Sequence, residues 1–456
     1  MNSEQKAPLK MDADNMPKLL LSFALPATVG MLANAVYNIV DRIFVGRCSG
    51  PDGIAAITLG FPTMIVMFAF SLLFAIGGSS RVSILRGARK RRAAERALIH
   101  TIALLALAGL CGSLIGLCFV KRLLLFSGAS DKLLPMGTDY LRIILIGGPL
   151  ALMGYGVSSL VRACGSPRYA MFTQVAGAIA NIFLDWFFIV KLKMGVKGAA
   201  LGTVLAEGAG TLMGLAYFFA KSSPLRIKLA YLMRPSLSVV KRIISVGFGQ
   251  FVVELSFCLL MVIINNVTYR YGGNVWLLAI GIFSNIDTLF FMPSMAVGEA
   301  AQPIVGYNYG AGKPHRVIEA VMMAIRFTTA LYLVSFVIAE LFTPQLIRLF
   351  SSNPKLLAVG VPGMRITYAG VAFVGLPIVT ISALQGLGRA KEAMLLSVTR
   401  QVLFMFAPAL ILPQFFGING VWASYPTGDI CGSIMAVFFL RRLIKWLKSP
   451  EALKAD

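Results

Sequence analysis

Apolar runs near residues 19–45, 56–80, 98–120, 140–162, 170–190, 198–219, 243–268, 276–298, 321–343, 362–385, 394–416 and 421–440 alternate with short polar connectors. Each is long enough to cross a hydrocarbon core of roughly 30 Å as a helix. In lipid every backbone N–H and C=O must find its partner within the segment, which a helix achieves. The pattern predicts an all-α polytopic membrane protein with twelve transmembrane helices, consecutive ones antiparallel.

The same pattern is written twice. LVRACGSPRYAM at 160–171 answers ALQGLGRAKEAM at 383–394, through Gly165/Gly388, Arg168/Lys391, Ala170/Ala393 and Met171/Met394. GVKGAA from Gly195 answers GINGVW from Gly417, and Leu59-Gly60 and Ile76-Gly77 answer Ile280-Gly281 and Val297-Gly298. A nearly constant offset over this distance predicts two six-helix bundles related by an internal repeat, the arrangement of many secondary transporters. The expected organisation is an N-terminal lobe at 1–220, a cytoplasmic linker at 221–242 (KSSPLRIKLAYLMRPSLSVVKR) and a C-terminal lobe at 243–456. Leu225, Ile227, Leu229 and Leu232 between basic residues suggest that the linker lies along the inner membrane surface. Asp41 and Asp185 fall opposite Ile264 and Pro408, so the halves share a scaffold and differ in chemistry.

Composition sharpens this picture. With 57% hydrophobic and 13% charged residues and a mean hydropathy of +0.79, the chain has more apolar surface than a water-soluble fold encloses. The net charge of +23 is distributed unevenly. If the N-terminus is inside, ~27 Lys and Arg lie in cytoplasmic segments against ~11 outside, which predicts both termini in the cytoplasm. The basic residues then read as topology and contact with anionic lipid, and no nucleic-acid partner is expected. The polar N-terminal stretch has no short apolar core followed by a small-residue cleavage site, so no signal peptide is expected. Cys48, Cys111, Cys118, Cys164, Cys258 and Cys431 form no CxxC and read as small packing residues. His100 and His315 stand far apart without ligand spacing, so a resident metal or a metal-dependent membrane enzyme is disfavoured. No GxxxxGK[ST] phosphate loop occurs, so ATP hydrolysis is not expected and uphill transport would draw on an ion gradient, with no cofactor expected besides the coupling ion.

An ionisable group inside a bilayer costs at least about 2.5 to 3.5 kcal/mol on insertion scales, which makes an intramembrane acid a candidate functional residue. Asp185 lies in AIANIFLDWFFIV with apolar neighbours on both sides, and Asn181 precedes it by one helical turn on the same face. Helix pinning through hydrogen bonds is the bland alternative for this pair. Asp41 in NAVYNIVDRIFVG is followed by Arg42, so a local interfacial ion pair competes with a functional role. Thr203 in GAALGTVLAE offers a hydroxyl. In the second half Glu254 stands deep enough to face a substrate, Asp287 and Asp429 are further acids, and Glu299 beside Gln302-Pro303 suggests a broken or terminating helix.

At these residues the chain resembles the multidrug and toxic compound extrusion (MATE) family of the MOP flippase superfamily, over nearly its whole length. The resemblance rests on PATVGMLANAVYNIVDRIFVG, on GEAAQPIVGYNYGAGK at 298–313 with its counterpart GGSSRVSILRGARK, and on the GAALGT element. It implies the MATE fold. It also implies that Asp41, Asn181, Asp185 and Thr203 come together as the N-lobe ion site of the DinF-type branch. The NorM-type branch places acids in the seventh and tenth spans; Glu254 suits the first, but ITYAGVAFVGLPIVTISAL has no acid. At subfamily level the pattern is similar to the MepA-type bacterial drug exporters.

The expected function is multidrug efflux: an antiporter, working as a monomer by alternating access, exports lipophilic or cationic small molecules against H⁺, with Na⁺ possible at the same four residues. Asp185 is expected to face both ion and organic cation in turn. Adaptable apolar surface would complete the substrate wall, from Met31, Met64, Met67, Met153, Met261, Phe291, Met292 and Met295, with Glu254 as an accessory. Exchange of one proton for one monovalent cation moves no net charge, so the pH difference alone would drive it. The alternatives are a flippase for a lipid-linked precursor, which would need cations lining its cavity, and an exporter of an endogenous metabolite.

Overall fold

The computed structural model describes residues 11, 13, 15–233, 235–351 and 353–450. It is helical throughout, with no strand among the described residues. The stretch Met16–Gly87 is broken at Gly50 into α1 and α2. There follow α3 (Arg91–Phe126), α4 (Leu134–Ala163), α5 (Pro167–Asp185, continued by a π turn at Trp186–Lys191) and α6 (Val196–Ala216). Leu237–Gly310 is broken at Gly273 into α7 and α8, and α9 is Pro314–Arg348. The next helix, α10, is pieced together from Pro354–Tyr368, a 3₁₀ turn at Val371–Phe373 and Gly375–Gly386. The next, α11, runs from Ala390–Val398 through a π segment at Thr399–Phe406 to Ala407–Phe416; α12 is Ile418–Leu447. Among the described residues nine helical stretches are long and apolar enough to cross a membrane, and the two double-length ones each contain a Gly break.

The repeat is written in the backbone as well as in the side chains. Left-handed residues recur in pairs: Gly50 with Gly273 (φ 68° and 70°), Gly165 with Gly388 (80° and 72°) and Gly195 with Gly417 (57° and 56°). Arg89 (58°) pairs with Gly312 (69°). Gly50 and Gly273, with ψ near −165°, occupy a region that side chains other than hydrogen scarcely enter, so a helix cannot run through them.

The chain forms two compact units, one centred on Leu25–Gly247 and the other on Phe248 onward joined by Ala13–Ala24. In the first unit α3 packs on α4, and α6 on α4 and α5. The start of α7 belongs to this unit: a Cβ on Gly247 would stand 1.8 Å from the Leu73 carbonyl oxygen, so glycine lets the two helices meet. In the second unit α9 packs on α10 and α12 on α10 and α11, around Phe283, Tyr332, Tyr368 and Trp422.

One expectation changes. The helix passes through Glu299 and Pro303 to Gly310 with Gly273 as its one non-helical residue, so Glu299 marks no break there. Among the described residues the connector after α6 carries 3₁₀ turns at Tyr217–Phe219 and Leu229–Tyr231 before Leu237. It is pinned to α3, by Lys228 Nζ to Glu95 at 2.8 Å and by the Ser236 N–H donating to His100 Nε2 at 3.1 Å.

Candidate ion-coupling site

Three helices of the first unit bring Asp41 (α1), Asn181 and Asp185 (α5) and Thr203 (α6) to its interior, where they are 7%, 1%, 0% and 8% exposed. Asn181 and Asp185 share a face because they are four residues apart. With the amide oriented to satisfy its neighbours, Asn181 Nδ2 donates to Asp185 Oδ2 at 3.0 Å and Asn181 Oδ1 accepts from the Thr203 backbone N–H at 3.3 Å. Thr203 thus joins the network through its main chain. The approach of α6 depends on Gly202, since a Cβ there would lie 2.2 Å from Asp185 Oδ1. Just past Asp185 the helix switches to the π turn, a local widening common at functional positions.

Neither aspartate is compensated. Asp185 Oδ1 and Asp41 Oδ1 are buried without a hydrogen-bond partner, and the two carboxylates act on each other electrostatically. Arg42 is exposed and influences Asp41 through space, without an ion pair. The local Asp41–Arg42 bridge that the sequence allowed is therefore not formed.

The structure adds three residues that sequence reasoning missed. Tyr37, one turn before Asp41, stands beside Glu207, one turn after Thr203. Tyr140 on α4 feels Asp41, Asp185 and Glu207 together. The signal was available in the four-residue spacings Tyr37/Asp41 and Thr203/Glu207, but only the shared location of the helices gives those spacings meaning. A separate cavity of about 630 Å³, lined by Cys48, Met136, Asp139, Ile189, Met194 and Lys197 among others, includes none of the four expected residues.

The remaining expected residues are scattered. Met64 and Met67 pack on core clusters of the first unit, Met153 is 8% exposed and Met31 is half-buried. In the second unit Glu254, Phe291, Met292 and Met295 are half-buried, while Met261 is 42% exposed. The second unit has its own polar cluster. Arg400 Nη2 donates to Asp429 Oδ1 at 3.1 Å, and the Tyr368 hydroxyl donates to Asp287 Oδ1 at 3.5 Å. Among the described residues no group of three or more His, Cys, Asp or Glu side chains is arranged to hold a metal ion.

Residues 26–187 and 248–410, one stretch from each half, match the family model described as MatE. The chain is 24% identical to the multidrug export protein MepA of Staphylococcus haemolyticus (strain JCSC1435), over 95% of each chain. To MepA of Staphylococcus saprophyticus it is 25% identical, covering 93% of this chain and 94% of that one. Among solved structures, a MATE P26A mutant superposes with a TM-score of 0.90 at 25% identity, over 96% of this chain and 98% of the other. A multidrug resistance MATE family transporter of the MOP superfamily, in an outward-facing conformation, superposes with a TM-score of 0.91 at 24% identity, over 98% and 100%.

Proposed function

The chain belongs to the MatE family, and from that premise we propose that it is a secondary multidrug exporter that expels lipophilic or cationic small molecules from a bacterial cytoplasm in exchange for protons, with both termini inside and as a monomer. The observation that carries this reading is the uncompensated pair Asp41 and Asp185 in the first unit, with Asn181 clamped between Asp185 and α6. The equivalent positions of the second unit hold Ile264, Phe404 and Pro408.

The chemistry follows from the wiring. A buried carboxylate without a cation binds a proton readily, and an organic cation entering its field favours the ionised form. Proton and cation therefore compete for Asp185, and a carrier that alternates access between the two sides turns that competition into antiport. Protonation of Asp185 Oδ2 also ends its role as an acceptor from Asn181, which loosens the tie between α5 and α6 through the Thr203 N–H.

Drug accumulation in proteoliposomes under imposed pH or Na⁺ gradients tests this. For Asp185→Asn, which mimics the protonated acid, the expected outcome is weakened cation binding with gradient-driven accumulation abolished. Undiminished accumulation would remove Asp185 from the mechanism, and accumulation driven by Na⁺ alone would replace the proton as coupling ion.

A further inference from the structure

The internal repeat places Glu207 opposite Asp429. From Gly195/Gly417 onward the two last helices of the halves align through Gly198/Gly420, Gly210/Gly432 and Met213/Met435, and Glu207/Asp429 falls between them in register. On the fifth helix of each half, Met171/Met394 and Val175/Val398 fix the register that sets Gly177 opposite Arg400. In the second unit the acid is neutralised, because Arg400 reaches Asp429 at 3.1 Å. The first unit keeps the acid and lacks the arginine.

Glu207 lies on the inner stripe of α6. Ala199, Gly202, Thr203, Ala206, Thr211 and Gly214 on that side are buried, whereas Leu205, Ala209 and Leu212 face outward. It stands one turn after Thr203, whose N–H meets Asn181, and beside Tyr37, one turn from Asp41. The charged and titratable groups of the surrounding helices are Tyr37, Asp41 and Arg42 on α1, Tyr140 on α4 and Asp185 on α5. The pocket thus sets three carboxylates against one exposed guanidinium. Asp41 and Asp185 form its uncompensated pair, each with a buried carboxylate oxygen that no donor reaches. Glu207 stands beyond that dyad, behind Tyr37.

We propose that Glu207 is a second proton acceptor of the first unit, so that each monovalent organic cation leaves in exchange for two protons and the cycle carries net charge. The proposal rests on the proton-antiport reading above and changes its stoichiometry. On the outer side one proton binds the Asp41/Asp185 dyad and one binds Glu207. Both leave to the inside as an incoming cation favours the ionised carboxylates. One positive charge then enters per cycle, and an inside-negative potential drives export. One net charge moved across 100 mV raises the attainable accumulation ratio by about 50-fold.

The test uses the purified full-length protein with ethidium as the monovalent probe. In weakly buffered detergent solution with a pH dye, the expected release is about two protons per ethidium bound for the parent and about one for Glu207→Gln. In proteoliposomes with a potassium-diffusion potential and no pH difference, the parent accumulates ethidium and Glu207→Gln does not. Both accumulate it under a pH difference. Gly177→Arg, which supplies the arginine that the second unit uses, is expected to behave as Glu207→Gln, and Glu207→Asp to keep the potential dependence. A proton count and a potential dependence unchanged in Glu207→Gln would overturn the proposal. Failure of the underlying reading shows differently, as full gradient-driven accumulation by Asp185→Asn.

Discussion

A single hydrogen atom in place of a methyl group sets the geometry of the candidate site. Gly202 stands where a Cβ would lie 2.2 Å from Asp185 Oδ1, and the carboxylate is itself fully buried. An added methyl there costs about 1 to 3 kcal/mol of overpacking or moves α5 and α6 apart. Either response breaks the contact from the Thr203 N–H to Asn181. For Gly202→Ala the expected outcome is at least about a tenfold loss of pH-driven drug accumulation, roughly 1.4 kcal/mol, with the protein still inserted and folded. Normal accumulation by this variant would show that the α5–α6 tie plays no part in coupling.

At the scale of elements, the breaks are as informative as the helices. Gly50 and Gly273 divide stretches that would otherwise run on for 72 and 74 residues. Alanine at Gly273 faces no steric neighbour, so its cost is purely one of backbone conformation, of order 1 to 3 kcal/mol. Arg89 presents the reverse case, a side-chain residue with φ 58° where its counterpart Gly312 has 69°. A left-handed conformation costs a residue with a Cβ roughly 1 to 2 kcal/mol. Thermal unfolding in detergent is expected to show a lower melting temperature for Gly273→Ala and a higher one for Arg89→Gly. The opposite order would mean that these turns are set by packing rather than by backbone preference.

Across the molecule, the connector between the halves is held by the first unit. Glu95, whose side chain is 1% exposed, forms an ion pair with Lys228 at 2.8 Å and accepts from Arg91 at 3.1 Å, and His100 receives the Ser236 N–H. A buried carboxylate gripping a basic side chain of the connector fixes that segment more firmly than its lack of regular structure suggests. Glu95→Gln removes the charge that Lys228 meets. Limited trypsin digestion is expected to cut the variant faster at Lys221, Arg226 or Lys228 than the parent. An unchanged cleavage rate would leave the anchoring to His100 and Ser236 alone.

What the sequence determined by itself is the membrane-spanning helical fold, because bilayer thickness and backbone hydrogen bonding leave an apolar chain of this pattern few choices. The repeat was equally legible, since glycines at constant offset mark turns that only glycine makes freely. Asn181 and Asp185 could be read as neighbours because four residues is one helical turn. The company they keep was decided by tertiary structure. Nothing in the spacing of Tyr37, Tyr140 and Glu207 says that three different helices present them to one interior, nor that Arg42 turns away from Asp41 while Arg400 turns toward Asp429. Helical periodicity is local and carries the elements. The balance of charge inside a bundle depends on which faces meet, and that is a property of packing.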